Sequence, residues 1–379
     1  MQEENKKNFQ KFVTAVSVII GTAIGAGVFG IPYVAVQAGF FVALAYIFLL
    51  GGIILLCNLY LGEVSLRTKG NHQLPGYAKK YLGKKGAWLM QFAMIFGIYS
   101  AILAYIVGIG ESLSFLIFGN VNHTLLLGFL FGILMSLLLW QGIGALKKFE
   151  KIGVGIIFLL LVAIIIFFTD NVELTNLSGF NFANFFLPFG VILFAFLSFS
   201  AVPEVEIILK DNEKLMKRVI VASSAITIIF YALFTFIIVG FKGAETPEIA
   251  TLALGAFFIV LGIFTMFTSY LALGNALRDN FMLDGKMKKF NAWFLASLVP
   301  IFIFLITRYF NFLSFTKILS IGGSVSGGLT AILIFLMLER AKKKGNRKPE
   351  YSISISWWII GVLSLIFILG IVYELMKGI

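Results

Sequence analysis

The sequence predicts an all-α integral membrane protein, and both its composition and its hydropathy pattern support that class. Of its 379 residues, 60% are hydrophobic and 13% are charged, and the mean hydropathy is +0.99. Apolar stretches of about 20 residues recur along the chain, and a helix of that length crosses the hydrocarbon core of a bilayer. These features exclude a soluble globular protein and indicate a chain that crosses the lipid bilayer many times.

Glycines, prolines and clusters of charge mark the predicted ends of about eleven membrane-spanning helices. We treat residues 1–379 as one transmembrane domain. The segment 71–83 is too short and too charged to span, and it is predicted to be an amphipathic helix at the inner surface. The predicted spans are residues 11–36, 40–66, 86–118, 121–141, 147–169, 184–209, 214–240, 252–279, 289–307, 311–340 and 354–375.

Lysine and arginine are distributed unevenly among the predicted loops. With the N-terminus in the cytoplasm, the outer side receives only Lys242, Arg308 and Lys377. This positive-inside pattern predicts a cytoplasmic N-terminus and an outer C-terminus. It also accounts for the net charge of +12 without a nucleic-acid partner. The polar start before Lys11 lacks a cleavage-site pattern, so we expect no removable signal peptide.

Two of the predicted spans contain residues that disfavour a regular helix. Four glycines and a proline fall within residues 21–33 of the first span. The sixth span contains Pro203, which removes a backbone donor, and it continues with Glu204 and Glu206 at a depth where charge is costly. Irregular backbone persists at membrane depth only where it packs against protein or lines a wet cavity. Each interruption therefore marks a candidate binding site.

The predicted breaks lie near residues 25–27 and 198–201, about five spans apart, so their helices cross the membrane in opposite directions. Interrupted helices at matching positions of two inverted halves are typical of a transporter site near the bilayer midplane. The alternative is a pair of kinks that serve helix packing, since glycine and proline are common in membrane helices.

The first interrupted span also carries the most specific sequence motif, Gly-Thr-Ala-Ile-Gly-Ala-Gly-Val-Phe-Gly-Ile-Pro-Tyr at 21–33. Three further segments accompany it: Leu-Gly-Glu-Val at 61–64, Leu-Pro-Gly-Tyr-Ala-Lys-Lys-Tyr-Leu-Gly at 74–83, and Phe-Ser-Ala-Val-Pro-Glu-Val at 199–205. Together they resemble the amino acid/polyamine/organocation superfamily, and within it the amino acid/auxin permease branch with its bacterial tyrosine/tryptophan-type permeases.

That resemblance covers nearly the whole chain and implies a leucine-transporter-like fold with helices 1 and 6 broken. Its two inverted five-helix repeats would be residues 11–169 and 184–340, followed by an eleventh helix at 354–375. The resemblance also implies an amino acid substrate. Its carboxylate suits the free N–H groups at a half-helix N-terminus, and its ammonium suits carbonyls released by unwinding.

Residues at the two breaks are the predicted substrate contacts. The amides of Gly25, Ala26 and Gly27 would bind the carboxylate, since small residues let a ligand approach the backbone closely. Packing of the Gly21–Gly25 pair against another helix is the alternative. Tyr99 on the third span is a candidate for shaping specificity. The predicted substrate-binding residues are Ala23, Gly25, Ala26, Gly27, Tyr99, Ser198, Phe199 and Ser200.

Hydroxyl groups on the eighth span suggest a coupling cation. Thr268 and Ser269, with the carbonyls of Gly21 and Ile24, would supply the oxygen ligands that a hard cation prefers. The alternative is that these hydroxyls bond to carbonyls of their own or a neighbouring helix. A lysine replaces the ion in distant proton-coupled relatives, and Lys151 is the nearest candidate here. Sodium and proton coupling both stay open, and no other cofactor is expected.

Three carboxylates are candidates for coupling or gating. Glu63, near the inner end of the second span, would pair with the freed N–H groups, relay protons or act as a structural tether. Glu111 in the third span, like Lys317 in the tenth, is a buried charge that should face a partner or a cavity. Glu204 would gate the inner path, or form a salt bridge to a loop lysine.

These features predict a secondary active transporter of the plasma membrane that carries a neutral amino acid, with aromatic and branched apolar ones as candidates, together with Na⁺ or H⁺ by alternating access. The alternative from another class is a membrane sensor that binds an amino acid without transporting it. An enzyme is not expected, because the sequence lacks HExxH and GxSxG motifs. Cys57 is the only cysteine and excludes an internal disulfide. The oligomeric state is not predicted.

Overall fold

The computed structural model describes residues 2–70, 72–141, 146–283 and 286–378. Helix makes up 84% of the structure and the described residues contain no strand. The helices are α1 (Gln2–Ala23), α2 (Gly27–Ala38), α3 (Phe40–Leu66), α4 (Leu74–Phe118), α5 (Thr124–Gln141), α6 (Leu146–Phe168), α7 (Leu187–Phe196), α8 (Ala201–Ile208), α9 (Met216–Lys242), α10 (Ala256–Leu283), α11 (Lys289–Trp293), α12 (Val299–Tyr309), α13 (Phe315–Gly322), α14 (Gly328–Lys344) and α15 (Trp357–Gly378).

The structure confirms a multi-pass helical membrane protein. Within the described ranges, nine helices are long and apolar enough to cross a membrane, or ten if α1 and α2 count as one bent span. The prediction was eleven. The difference lies at the predicted span 147–169, where α6 runs over the same residues but only the shorter stretch Gly155–Asn171 is described as an apolar helix.

The first span is broken where its glycines are closest together. Helices α1 and α2 meet at an angle of 53°, and residues 24–26 between them are not helical. Close packing requires glycine here: a Cβ at Gly25 would lie 2.8 Å from the Tyr105 hydroxyl oxygen, and one at Gly27 would lie 2.6 Å from Ala195 Cα. Only a residue without a side chain lets the backbone approach its neighbours this closely.

The second break separates α7 from α8 at residues 197–200. Leu197 has an extended conformation with ψ of 109°, which turns the chain out of α7. Pro203 does not kink a continuous helix, as a mid-helix proline would. It lies in the first turn of α8, where backbone N–H groups have no intrahelical acceptor and a missing donor costs little.

Packing brings the halves of the two broken spans together. Helix α1 packs against α8 and α2 packs against α7, while α3 and α9 flank both pairs. The predicted amphipathic segment is the first part of α4, which changes direction at Gly83, where φ is +77°. A positive φ is easily adopted by glycine alone. The breaks are therefore enclosed by protein on several sides.

Candidate functional site at the two helix breaks

Tyr231 on α9 ties the two breaks to each other. Its hydroxyl lies 3.0 Å from the Ala23 carbonyl oxygen and 2.6 Å from that of Ala195. Ala23 ends α1, and Ala195 lies in the last turn of α7, so one buried hydroxyl holds the C-terminal ends of both half-helices. Sequence reasoning missed Tyr231, because nothing in the sequence distinguishes it from other aromatic residues of an apolar span.

Tyr105 on α4 occupies the other side of the first break. Its hydroxyl oxygen would lie 2.8 Å from a Cβ on Gly25, and the Ser269 hydroxyl oxygen would lie 3.8 Å from the same point. The predicted Tyr99 lies six residues earlier, which is not a whole number of helical turns, and its hydroxyl donates to the Leu295 carbonyl at 2.8 Å. Tyr105 is therefore the α4 tyrosine beside the break.

At the second break, Ser198 is the buried polar side chain. Its hydroxyl oxygen accepts a hydrogen bond from the amide of Asn58 on α3 at 3.1 Å. Phe199 is also buried, whereas Ser200 is exposed. Of the predicted substrate contacts, all except Tyr99 lie in or directly beside the breaks: Ala23, Gly25, Ala26, Gly27, Ser198, Phe199 and Ser200.

The predicted free carbonyls have protein partners in this conformation. The Ala23 carbonyl accepts from the Gly25 N–H at 3.1 Å as well as from Tyr231. The Ser198 and Phe199 carbonyls accept from the N–H groups of Ala201 and Val202 at 3.0 and 3.3 Å. Each carbonyl has two lone pairs, so a ligand would share these oxygens with the existing donors.

The hydroxyls of α10 divide between two environments. Ser269 faces Tyr105 and the first break, with its oxygen 3.8 Å from where a Gly25 Cβ would lie. Thr268 donates to the carbonyl of Thr265 on its own helix at 3.0 Å. Ile24 is buried. The cation site with Gly21 and Ile24 stays a prediction. The side chain of Lys151 lies outside the described residues.

A sequence model of the tryptophan/tyrosine permease family matches residues 8–249, more than half of the chain and both breaks. The chain belongs to this family.

Two curated relatives carry names that describe amino acid transport. "Glutamine transporter 2" of Aliivibrio fischeri is 24% identical over 240 residues, which are 62% of this chain and 61% of the relative. "Tyrosine-specific transport system 1" of Haemophilus influenzae is 24% identical over 228 residues, 59% of this chain and 56% of the relative. The matched part of this permease-family chain thus spans about three fifths of the length of each relative.

Glu63 of the permease-family chain lies away from the breaks, in a polar cluster where α3 ends. The fully buried carboxylate accepts from the Arg67 and Lys342 side chains at 2.9 and 3.1 Å. It also accepts from the Ser352 hydroxyl at 2.9 Å and the Ile353 N–H at 2.7 Å. Among its predicted roles, these partners support the structural tether. Glu63 holds residues 345–353, which we call the strap, against α3.

Tyr351 adds a second attachment for the strap. Its hydroxyl donates to the Leu59 carbonyl on α3 at 2.7 Å. Burial raises the pKa of Tyr351 above its usual value, and the nearby Glu63 charge raises it further. The hydroxyl therefore keeps its proton and its donor role over the neutral pH range.

Glu206, rather than Glu204, contacts the same cluster. The Glu206 carboxylate accepts from the Ser65 and Tyr77 hydroxyls and lies 3.7 Å from the Arg347 guanidinium of the strap. Glu204 is exposed. Helix α8, the second half of the sixth span, is thus linked to α3, α4 and the strap.

At the opposite end of the bundle, the structure provides the partner of Glu111. Its carboxylate pairs with Arg308 of α12 at 2.8 Å. Nearby, Glu248 accepts from the N–H and hydroxyl of Thr316 at 3.1 and 3.2 Å at the start of α13. The Glu111 charge in the third span is therefore neutralised by Arg308, almost 200 positions later in the chain. The sequence alone did not identify this partner.

Proposed function

We propose that this chain is a secondary active amino acid transporter that works by alternating access, with its substrate bound between the two helix breaks. The observation that carries the proposal is the packing of one break against the other, Gly27 on Ala195, inside an apolar helical bundle. Paired broken helices of this kind form the substrate sites of secondary transporters. The family description and the names of both relatives, a glutamine transporter and a tyrosine-specific transport system, also support it.

The chemistry of the breaks suits the two ends of an amino acid. Helix α2 begins at Gly27 and α8 begins at Ala201, so two positive helix ends are available for a carboxylate. The Ser198 carbonyl, which accepts one N–H, has a second lone pair for the ammonium, whereas the Ala23 carbonyl would exchange one of its two present donors for it. The named side chains at the breaks, those of Tyr105, Tyr231, Ser269 and Asn58 among them, are neutral, which favours a neutral amino acid.

We infer a leucine-transporter-like arrangement, with residues 11–169 and 184–340 as inverted repeats and 354–375 as an added helix. The two broken spans, separated by about five spans, support this arrangement. The positive-inside pattern supports a cytoplasmic N-terminus and an outer C-terminus, and the permease family supports the plasma membrane. The strap, held by Glu63 and Glu206, then closes the cytoplasmic end. Glu111 and Glu204 remain candidates for gating.

The coupling ion is Na⁺ or H⁺ in this proposal. Thr268 and Ser269, with the carbonyls of Gly21 and Ile24, are the candidate ligands for sodium. Uptake driven by an imposed sodium gradient, compared with an imposed proton gradient, separates the two ions. Loss of sodium dependence in a variant with both Thr268→Ala and Ser269→Ala would support the α10 ligands, and unchanged dependence would exclude them.

Exchange in proteoliposomes tests the proposed function. Vesicles loaded with an unlabelled amino acid should accumulate the same labelled amino acid from outside, with glutamine, tyrosine, tryptophan and leucine as neutral candidates and arginine and glutamate as charged controls. We expect saturable exchange of at least one neutral amino acid. If the protein binds an amino acid but exchanges none, the sensor alternative replaces the transporter.

A matched pair of glycine substitutions tests the site. Gly27→Val should abolish exchange, because its Cβ would lie 2.6 Å from Ala195 Cα and push the breaks apart. Gly52→Val on the exposed side of α3 is the control, since nothing lies within 4 Å of its Cβ position. Both proteins must be inserted and folded for the comparison. Equal exchange by the two variants would contradict the placement of the substrate.

A further inference from the structure

A groove lies on the surface between the N-terminal parts of α1 and α9, and we call it the α1–α9 groove. Its volume is about 870 Å³, which is within the range of sites that bind small molecules. Phe9 in this groove lies about 20 Å along α1 from the first break, so the groove is separate from the proposed substrate site. Its lining includes Phe9, Phe12, Leu215, Lys217, Arg218 and Val221.

Most of the wall of the groove is apolar, and part of that apolar surface is exposed. The Phe9 side chain is 67% exposed and the Val221 side chain is 40% exposed. Ala225 and Ile229 follow Val221 at intervals of four residues and are exposed as well, so they lie on the same face of α9. An occupant with a hydrocarbon chain would cover the exposed wall and extend along this face of the helix.

Two cations lie beside the apolar wall. Lys217 and Arg218 are in the first turn of α9 and are exposed, and neither side chain pairs with an acidic group among the described residues. Glu213, the nearest acidic residue in the sequence, lies 3.4 Å from the Arg347 guanidinium of the strap and does not line the groove. The positive end of α9 adds to the charge of the two cations. The groove therefore combines an apolar wall with uncompensated positive charge.

The position of Lys217 and Arg218 along α9 places them at the level of the lipid phosphates. Residues 219–241, which follow them, contain no charged residue and extend about 35 Å as a helix. The hydrocarbon core of a bilayer is about 30 Å thick, so the two cations lie just outside it. Arginine binds phosphate oxygens through two parallel N–H groups, and lysine binds them as a point charge.

We propose that the α1–α9 groove binds one anionic phospholipid from the leaflet on the side of the N-terminus. Lys217 and Arg218 bind its phosphate, and one acyl chain lies against Phe9, Phe12 and Val221. Basic pockets between membrane helices are typical sites for anionic lipid headgroups. A soluble anion would leave the apolar wall uncovered, and an apolar partner would leave the cations uncompensated. Lipid binding at this groove does not depend on transport activity.

Thermal unfolding of the purified, detergent-solubilised full chain tests the binding. Phosphatidylglycerol is compared with phosphatidylcholine of the same acyl chains, since a ligand that binds only the folded state raises the unfolding midpoint. We expect a rise specific to phosphatidylglycerol. A double variant with Lys217→Gln and Arg218→Gln should need a roughly 30-fold higher lipid concentration for half of that rise. The double variant with Lys84→Gln and Lys85→Gln is the matched control and should leave this concentration unchanged, because it removes the same charge from exposed lysines that do not line the groove.

A second pair of variants tests the apolar wall with all charges in place. Ala222→Phe puts a large side chain into the groove, because Ala222 lines it, and should abolish the rise specific to phosphatidylglycerol. Ala225→Phe is the control and should keep the rise, since Ala225 is exposed on the same helix but does not line the groove. Loss of the rise in both groove variants, with both controls unchanged, would support the proposal.

Four other outcomes would overturn it. Equal rises with the two lipids would mean that binding does not depend on net negative charge. An equal effect of the Lys84 and Lys85 substitutions would mean a diffuse attraction to the basic face of the protein. A rise with inorganic phosphate alone, lost when Lys217 and Arg218 are neutralised, would replace the lipid with a soluble anion. A dimer that forms on removal of lipid, and that Ala222→Phe dissociates, would assign the groove to a second copy of the chain.

Discussion

Substitution of Glu63 by glutamine should release the strap from α3. The Glu63 carboxylate accepts from Ser352 and Ile353 of the strap, at 2.9 and 2.7 Å, and it is fully buried. Hydrogen bonds to a charged group contribute about 1.5–3 kcal/mol each and neutral ones about 0.5–1.5 kcal/mol. Glutamine keeps one oxygen, so one bond becomes neutral and the other is lost. The net loss is about 2.5–4.5 kcal/mol, which increases the open population of the strap roughly 70- to 2,000-fold.

Limited proteolysis measures that opening. Trypsin cleaves after lysine and arginine except before proline, so Arg347 is its site in the strap, while Lys348 precedes Pro349. When opening and closing are fast relative to cleavage, the cleavage rate follows the open population. Mass spectrometry of the fragments should therefore show a rise in cleavage at Arg347 of the same order in Glu63→Gln protein.

Glu339→Gln provides the matched control. Glu339 pairs with Lys343 one turn later on α14 at 2.6 Å, and the Lys343 side chain is 71% exposed. An exposed pair of this spacing contributes only about 0.3–0.5 kcal/mol, so cleavage at Arg347 should stay within about twofold. Unchanged cleavage in Glu63→Gln, or an equal rise in both variants, would refute the assignment of Glu63 as the anchor of the strap.

Three further predictions concern tyrosines and the charged pair at the opposite end. Tyr105→Phe should raise the KM of exchange several-fold, because it removes the hydroxyl beside the first break. Tyr99→Phe is the control and should leave the KM unchanged, because it removes only the hydrogen bond to the Leu295 carbonyl. Since burial and Glu63 raise the pKa of Tyr351 in the folded state, its stabilising effect is complete below the usual tyrosine pKa of about 10 and declines as the pH rises above it. Unfolding midpoints between pH 8 and 11 should therefore fall less steeply in Tyr351→Phe than in the wild type. For Glu111 and Arg308, 2.8 Å apart, neutralising either residue should destabilise more than neutralising both, by about 1 kcal/mol or more in a double-mutant cycle; additive effects would contradict a direct pair.

The breaks in the first and sixth spans could be predicted to within about one residue. The structure has them at 24–26 and 197–200, against predictions near 25–27 and 198–201. The reason is local: glycine and proline change backbone preferences at their own positions, whatever surrounds them. Helix bounds followed from the same local signals, and α3 covers residues 40–66 as predicted.

The neighbours of the breaks could not be predicted in the same way. Tyr231, Tyr105 and Asn58 come from three different helices, and each is an unremarkable residue within its own apolar segment. Tyr99 was predicted as a residue of the third span that shapes specificity, but the rotation of α4 about its own axis decides that Tyr105, and not Tyr99, lies beside the break. Likewise, Glu206 rather than Glu204 contacts the strap because of the helix face on which each lies.

The sequence by itself determined that this protein is a multi-pass helical membrane protein, where its two interrupted spans break and where its charge accumulates. These properties depend on composition and on residues close together in the chain. The tertiary structure alone decided which groups meet: Tyr231 with the ends of α1 and α7, Glu63 with the strap, and Glu111 with Arg308. Such contacts join residues that are far apart in sequence, and they depend on how helices rotate and pack against one another. The rotation and packing of each helix depend on the apolar surfaces of the whole bundle, and no single sequence motif specifies them.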